Sequence, residues 1–293
     1  MRSIRFNGQL ACGVVETSDI VVSSMTASIS AAGEALRVDP INLRVLDSSG
    51  SGGVVVDFSA AAPHWDAHFS LLQFPVEAFF RERSMGRDIA TGSMDFSAKL
   101  TMRGSSIDDM TRTSAGNVSL RGTNLTLKGI DLDQEIERFE SSQRLNLADV
   151  GAFFLAGPLG LLITKGIDFA SVLMNSEGTS DIRVLVSEWD LESGVLRARD
   201  VAMATRRNRI AVQGSIDFGN ERFDDVTVAV VDSNGCAMIQ QTLSGPFDQP
   251  LVHKPNILRS LAGPVLQLLE KGESLLGSGS CTVFYSGAVP APD

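Results

Sequence analysis

Alternation of apolar and polar residues predicts a mainly β fold of the α+β class, an antiparallel meander with a few short helices. Met94, Phe96, Ala98, Leu100 and Met102 alternate without a break. Ile210, Val212, Ile216 and Phe218 share a parity that Val226, Val228 and Val230 repeat in the following run. Turn-forming residues such as Gly219 and Asn220 separate these runs. Successive side chains of a strand point to opposite faces, so short turns between such runs stack the apolar sets into one continuous greasy surface.

Composition sets the outer limits. The chain has 293 residues, 43% hydrophobic and 20% charged, enough to bury a sizeable core and without the bias of a disordered segment. A net charge of -10 offers a phosphate backbone little to bind, and the basic cluster Arg206, Arg207 and Arg209 is too short to reverse that. With one Tyr and two Trp, stacking platforms for single strands are missing too, so no nucleic-acid partner is expected. Met1 to Leu10 already alternate at Ile4, Phe6 and Leu10, the pattern of a strand and not of a signal peptide. The longest apolar run, Gly151 to Thr164, is about fourteen residues and is broken by Pro158, short of the roughly twenty that span a bilayer.

In chain order, residues 1–72 read as strands with turns between them. Leu36 and Val38 hold one parity, Pro40 shifts it to Ile41, Leu43 and Val45, and Asp47 to Gly53 reads as a Ser/Gly loop before Val54, Val56 and Phe58 resume. Pro75 to Arg83 fits a short helix with Pro in the first turn. Ser106 is placed to cap a second short helix, with Asp109 three residues on. Gly116 begins a hairpin in which Val118 and Leu120 lie on one parity and Leu125 and Leu127 on the other, so Gly122 to Asn124 reads as a turn. Leu132, Ile136 and Phe139 follow at helical spacing behind Asp131 and Asp133.

Leu145 to Met174 is the most apolar and least strand-like stretch. Two readings are open: helices packed over the sheet, or a segment dipping into a lipid surface. Pro158, Gly160 and the lack of a basic flank favour packing. Pro255 to Leu276 predicts an amphipathic terminal helix kinked at Pro264, and Thr282 to Tyr285 a last strand. The chain therefore reads as one region over 1–293. It divides into a first strand group with its helix (1–90), central strands with a helical insert at 131–175 (91–253), and a terminal helix with the last strand (254–293).

Nothing here predicts an enzyme. The Gly-x-Ser-x-Gly elbow, the phosphate-binding loop and the dinucleotide fingerprint are all missing, and no motif calls for a cofactor. His64, Asp66 and His68 are the one metal-like cluster, but Phe69 and Leu71 favour a strand there, which sets the two imidazoles about 13 Å apart. No metal site is expected. Asp217, Asp224 and Asp225 read as turn and rim residues. Cys12, Cys236 and Cys281 form no Cys-x-x-Cys motif, and three separate buried thiols are one reading of them.

Three stretches carry a resemblance. They are Asp95-Phe-Ser-Ala-Lys-Leu-Thr-Met-Arg-Gly; Gly116-Asn-Val-Ser-Leu-Arg-Gly-Thr-Asn-Leu-Thr-Leu-Lys-Gly-Ile-Asp-Leu; and Val195-Leu-Arg-Ala-Arg-Asp-Val-Ala-Met-Ala-Thr running on to Gly214-Ser-Ile-Asp-Phe and Ser244-Gly-Pro-Phe-Asp-Gln-Pro. In this order they resemble the C-terminal region of the AsmA family. Each motif is a loose Gly, Asp and aliphatic pattern, and the specificity lies in their succession.

The resemblance implies a protein of the bacterial inner membrane facing the periplasm. Its long curved sheet forms an apolar groove, capped by short helices, that binds or conducts phospholipid toward outer-membrane assembly. The alternative is a non-catalytic structural or regulatory module for envelope proteins. An N-terminal transmembrane anchor is implied as well, and its lack here suggests a fragment or a truncated gene. The groove lining expected on that basis is Met94, Phe96, Leu100, Met102, Val118, Leu120, Ile210, Val212, Ile216, Phe218, Val226, Val228 and Val230. The resemblance also makes Cys236 and Cys281 candidates for a disulfide, beside the three-thiol reading.

Overall fold

The computed structural model describes residues 5–16, 21–45, 48–78, 90–142, 178–258 and 281–292. Among them one element type dominates. Strands β1 (Arg5–Glu16), β2 (Val21–Ala32), β3 (Ala35–Val45), β4 (Ser48–Asp57), β5 (His64–Pro75) and β6 (Ala90–Arg103) lead to helix α1 (Ile107–Thr113). Strand β7 (Ala115–Lys128) and helix α2 (Leu132–Ser142) follow. The remaining strands are β8 (Thr179–Glu192), β9 (Val195–Ala204), β10 (Arg209–Asp217), β11 (Arg222–Val231), β12 (Ala237–Pro246), β13 (Leu251–Val252) and β14 (Asn256–Ile257). All belong to one 14-stranded sheet in which β1 to β13 lie in sequence order, and β14 also pairs with β12. Every ladder is antiparallel, and the sheet is curved and open. It is the meander that alternation predicts.

Several boundaries differ from the sequence reading, each for a local physical reason. Ser48 to Gly53 is strand and not loop. A Cβ on Gly50 would lie 2.9 Å from Leu43 Cδ1 and 3.0 Å from Phe69 Cζ, so glycine leaves room for neighbouring side chains to pack across it. Gly122 to Asn124 lies inside the single strand β7, and the parity change there is a bulge: Asn124 has φ 52° and the β6–β7 register slips between Thr91 and Ser93. At Pro40, which lacks an N–H for the ladder, the register of β3 with β4 shifts between Val38 and Ile41, as expected.

Ser106 caps α1, its Oγ accepting from Asp109 N at 3.1 Å, and Asp131 caps α2, its Oδ1 accepting from Gln134 N at 3.0 Å. Of the helix expected from Pro75, Val76 to Ala78 are helical and the rest lies outside the described residues. The expected helices within 145–174 and 259–276 also lie outside them. Asn256 and Ile257, expected to begin the terminal helix, instead form β14 on the far edge of β12. Thr282 to Tyr285 is not a strand; it makes one isolated bridge, Val283 to Cys236.

Candidate functional site

The ladders align side chains into rows across the sheet. One row runs Gly8, Ile29, Val38, Val54, Ala67, Leu100, Gly116, Leu191, Leu196, Ile216, Phe223 and Gly245, crossing β1 to β12 without a polar residue. A parallel row, Phe74, Met94, Gly122, Leu185, Met203, Ile210, Val230 and Ile239, runs nearer the other strand ends. On the reverse face the equivalent row is Asn42, Ser51, Ser70, Ser97, Ser119, Glu188 and Asp200. One apolar face thus crosses twelve strands, and from β3 to β9 the row behind it is polar.

Exposure of the apolar face changes along the sheet. At β1, Phe6 and Leu10 are 52% and 39% exposed, and Ile29, Leu36, Val38 and Ile41 of β2 and β3 are half-buried. At β10 and β11, Ile210, Ile216, Phe223 and Val230 are completely buried. Between these ends, α2 lays Leu132 and Ile136 into the same core cluster as Leu120, Leu125 and Ile182. Phe69 and Phe96 meet at a centroid distance of 6.3 Å, and Phe223 and Phe247 at 4.9 Å. Under this cluster the fully buried Trp189 Nε1 donates to the equally buried Ser187 Oγ at 2.8 Å.

Against this gradient the expected lining divides. All of its members lie on the apolar face, and all but Met102 join the main cluster. Phe96, Leu100 and Phe218 are partly buried, and Met102 is half-buried opposite Trp65. Met94, Val118, Leu120, Ile210, Val212, Ile216, Val226, Val228 and Val230 are buried core, so as an open wall they are a correction. Parity identifies a face but not whether water reaches it, because that depends on what packs above. The accessible part of the face includes Phe6, Leu10, Ile29, Leu36, Val38 and Ile41; apart from Ile29 their alternation was readable, but their exposure was not.

The reverse face carries a charge network and a second, smaller apolar patch. Glu188, nearly buried, is bound by Arg121 and by Arg199 Nη2 at 2.9 Å, and Arg199 Nε reaches Asp190 at 3.3 Å. The patch consists of Val186, Ala202, Ala204, Ala211, Ala229, Val231 and Ala237, and Tyr285 and Val289 pack onto it. Cys236 and Cys281 are joined as a disulfide, and Cys12 is free.

His64, Asp66 and His68 all lie on the polar face of β5, and among the described residues no three His, Cys, Asp or Glu side chains gather as a metal site. Asp217 is a turn residue, accepting from the Asn220 amide at 2.9 Å, and Asp224 pairs with Arg222 at 2.8 Å. Among the described residues no helix is long and apolar enough to cross a membrane. A cleft of about 410 Å³ is lined by Asn124, Thr126, Asp181, Arg183 and Arg206, and its lining includes the Arg206–Asp181 ion pair. Comparison of the chain with family models, curated proteins and solved structures finds no match.

Proposed function

We propose that this chain is a lipid-handling protein that shelters acyl chains against the open part of its apolar face, β1 to β3. A row of apolar residues that crosses β1 to β12 and remains accessible at its β1 end carries this reading. Acyl chains ask for apolar area and no directional polar partner, which such a strip supplies, while headgroups stay in water at the strand ends. At a strand spacing of about 4.8 Å, three strands give a strip roughly 10–15 Å wide. The resemblance to the AsmA C-terminal region supports phospholipid as the ligand and the periplasm as the location. The Cys236–Cys281 bond supports an oxidising compartment. The chain is read as non-catalytic on its sequence, which carries none of the catalytic motifs considered above.

A photoactivatable residue replacing Phe6 or Leu10 tests the proposal. In the presence of phospholipid vesicles it captures lipid, whereas the same residue at buried Ile216 captures none. Capture of envelope protein at Phe6, with no lipid, overturns the lipid reading in favour of an assembly module.

A further inference from the structure

On the polar side of the sheet, the last described residues lie across β9, β10 and β11 and are tied down at both ends. The Cys236–Cys281 disulfide and the Cys236–Val283 bridge hold one end. Phe284 and Tyr285 N–H groups both donate to Gly235 O, at 2.8 and 3.0 Å. Gly235 is at φ 80°, and any Cβ there would stand 1.9 Å from Tyr285 O, so the approach needs glycine.

At the other end, Tyr285 Oη donates to Asp200 Oδ1 at 2.6 Å and accepts from Val289 N at 2.9 Å, while Ala288 N donates to Asp200 Oδ2 at 2.9 Å. Arg209 Nη1 donates to Val289 O at 3.1 Å, and its guanidinium lies 5.4 Å from the Tyr285 ring. Beneath the segment are five alanines, Ala202, Ala204, Ala211, Ala229 and Ala237, small enough for a backbone to lie close on the sheet.

We propose that residues 281–292 are a redox-released strap: a dithiol reductant that opens Cys236–Cys281 frees the segment and uncovers an apolar strip on the otherwise polar face. Cys236 is buried and Cys281 half-buried, so the attacking thiolate reaches the Cys281 sulfur and Cys236 leaves as thiolate. The reductant's second thiol then displaces Cys281. Two protons pass from the dithiol to the two cysteines, and the reductant leaves as its own disulfide. The sheet ladders of β9 to β11 do not depend on the bond, so they persist while the strap leaves.

The full chain carrying Cys12→Ser, compared with and without dithiothreitol, tests this. Tyr285 is the only tyrosine, so tyrosinate absorbance reports on the strap alone. Burial foremost, and the Asp200 carboxylate it donates to, hold its ionisation well above the ordinary tyrosine range while docked. On reduction that ionisation falls toward about 10. Amide exchange in 284–289 then rises by on the order of 100-fold, the scale of a lost cross-link, while β9 to β11 stay protected.

Any of three results overturns the proposal. They are two free thiols before reduction, a Tyr285 titration unmoved by reduction, and loss of protection throughout the sheet, which would make the bond a staple of the fold.

Discussion

Strands β1 to β5 and strands β8 to β12 share a pattern and differ in fate. Both present an unbroken apolar row to one side, yet Phe6 of the first is half exposed and Phe223 of the second is completely buried. The reverse faces differ as well: serines, Asn42, Asp66 and His68 in the first set, and Val186, Ala202, Ala211, Ala229 and Val231 at one end of the second. A strand buried on both faces becomes part of a rigid core, whereas a strand wetted on one face and open on the other remains a plate. The second region anchors the fold, and the β1 to β3 end of the first offers the surface.

Several substitutions break or sharpen this contrast. Phe223→Ala removes a fully buried ring and costs about 3–5 kcal/mol in urea unfolding. Phe6→Ala costs under about 0.5 kcal/mol in the same experiment and instead lowers lipid uptake. Equal losses would end the distinction between anchor and plate.

Glycines separate the two regions next. At Gly214, φ is 114° and a Cβ would stand 2.6 Å from Asp225 O and 2.7 Å from Val226 Cα, backbone that cannot yield, so Gly214→Ala costs about 1–3 kcal/mol. At Gly50 the obstructing atoms are side-chain tips of Leu43 and Phe69, both half-buried, and Gly50→Ala costs about 1 kcal/mol or less. Thermal midpoints of the two variants check the order.

Asp57, at the wet end of β4, gives the smallest effect. The Ser59 amide, donating at 2.8 Å, holds its carboxyl below the ordinary 3.8. A lowered folded value means that its contribution is present above 3.8 and lost as pH falls through the folded value. The stabilities of the parent and Asp57→Asn therefore converge on acidification below that point, as paired acid titrations will read.

Much of the architecture was legible in residue order. Phe96, Leu100 and Ile216 lie on the face their parity assigns, because a period of two has only two outcomes per strand. The Ser106 cap was readable for a similar reason: its partner is three residues away. Less legible were features set by distant neighbours. Gly50 and Gly52 look like a loop until Leu43 and Phe69 are seen filling their places, and Asn124 looks like a turn until β8 is seen to continue past it. Asn256 and Ile257 follow a helical pattern but meet the free edge of β12, where ladder hydrogen bonds were available. For the candidate surface, the expected lining named the right face and mostly its buried end.

By itself the sequence determined an antiparallel meander, its amphipathic faces and the positions of its short caps, since all of these follow from spacing within a few residues. Only the tertiary structure decided which stretch of the apolar face meets water, which cysteines join and where the last residues lie. Those outcomes depend on contacts between segments far apart in the chain, and no local period encodes them.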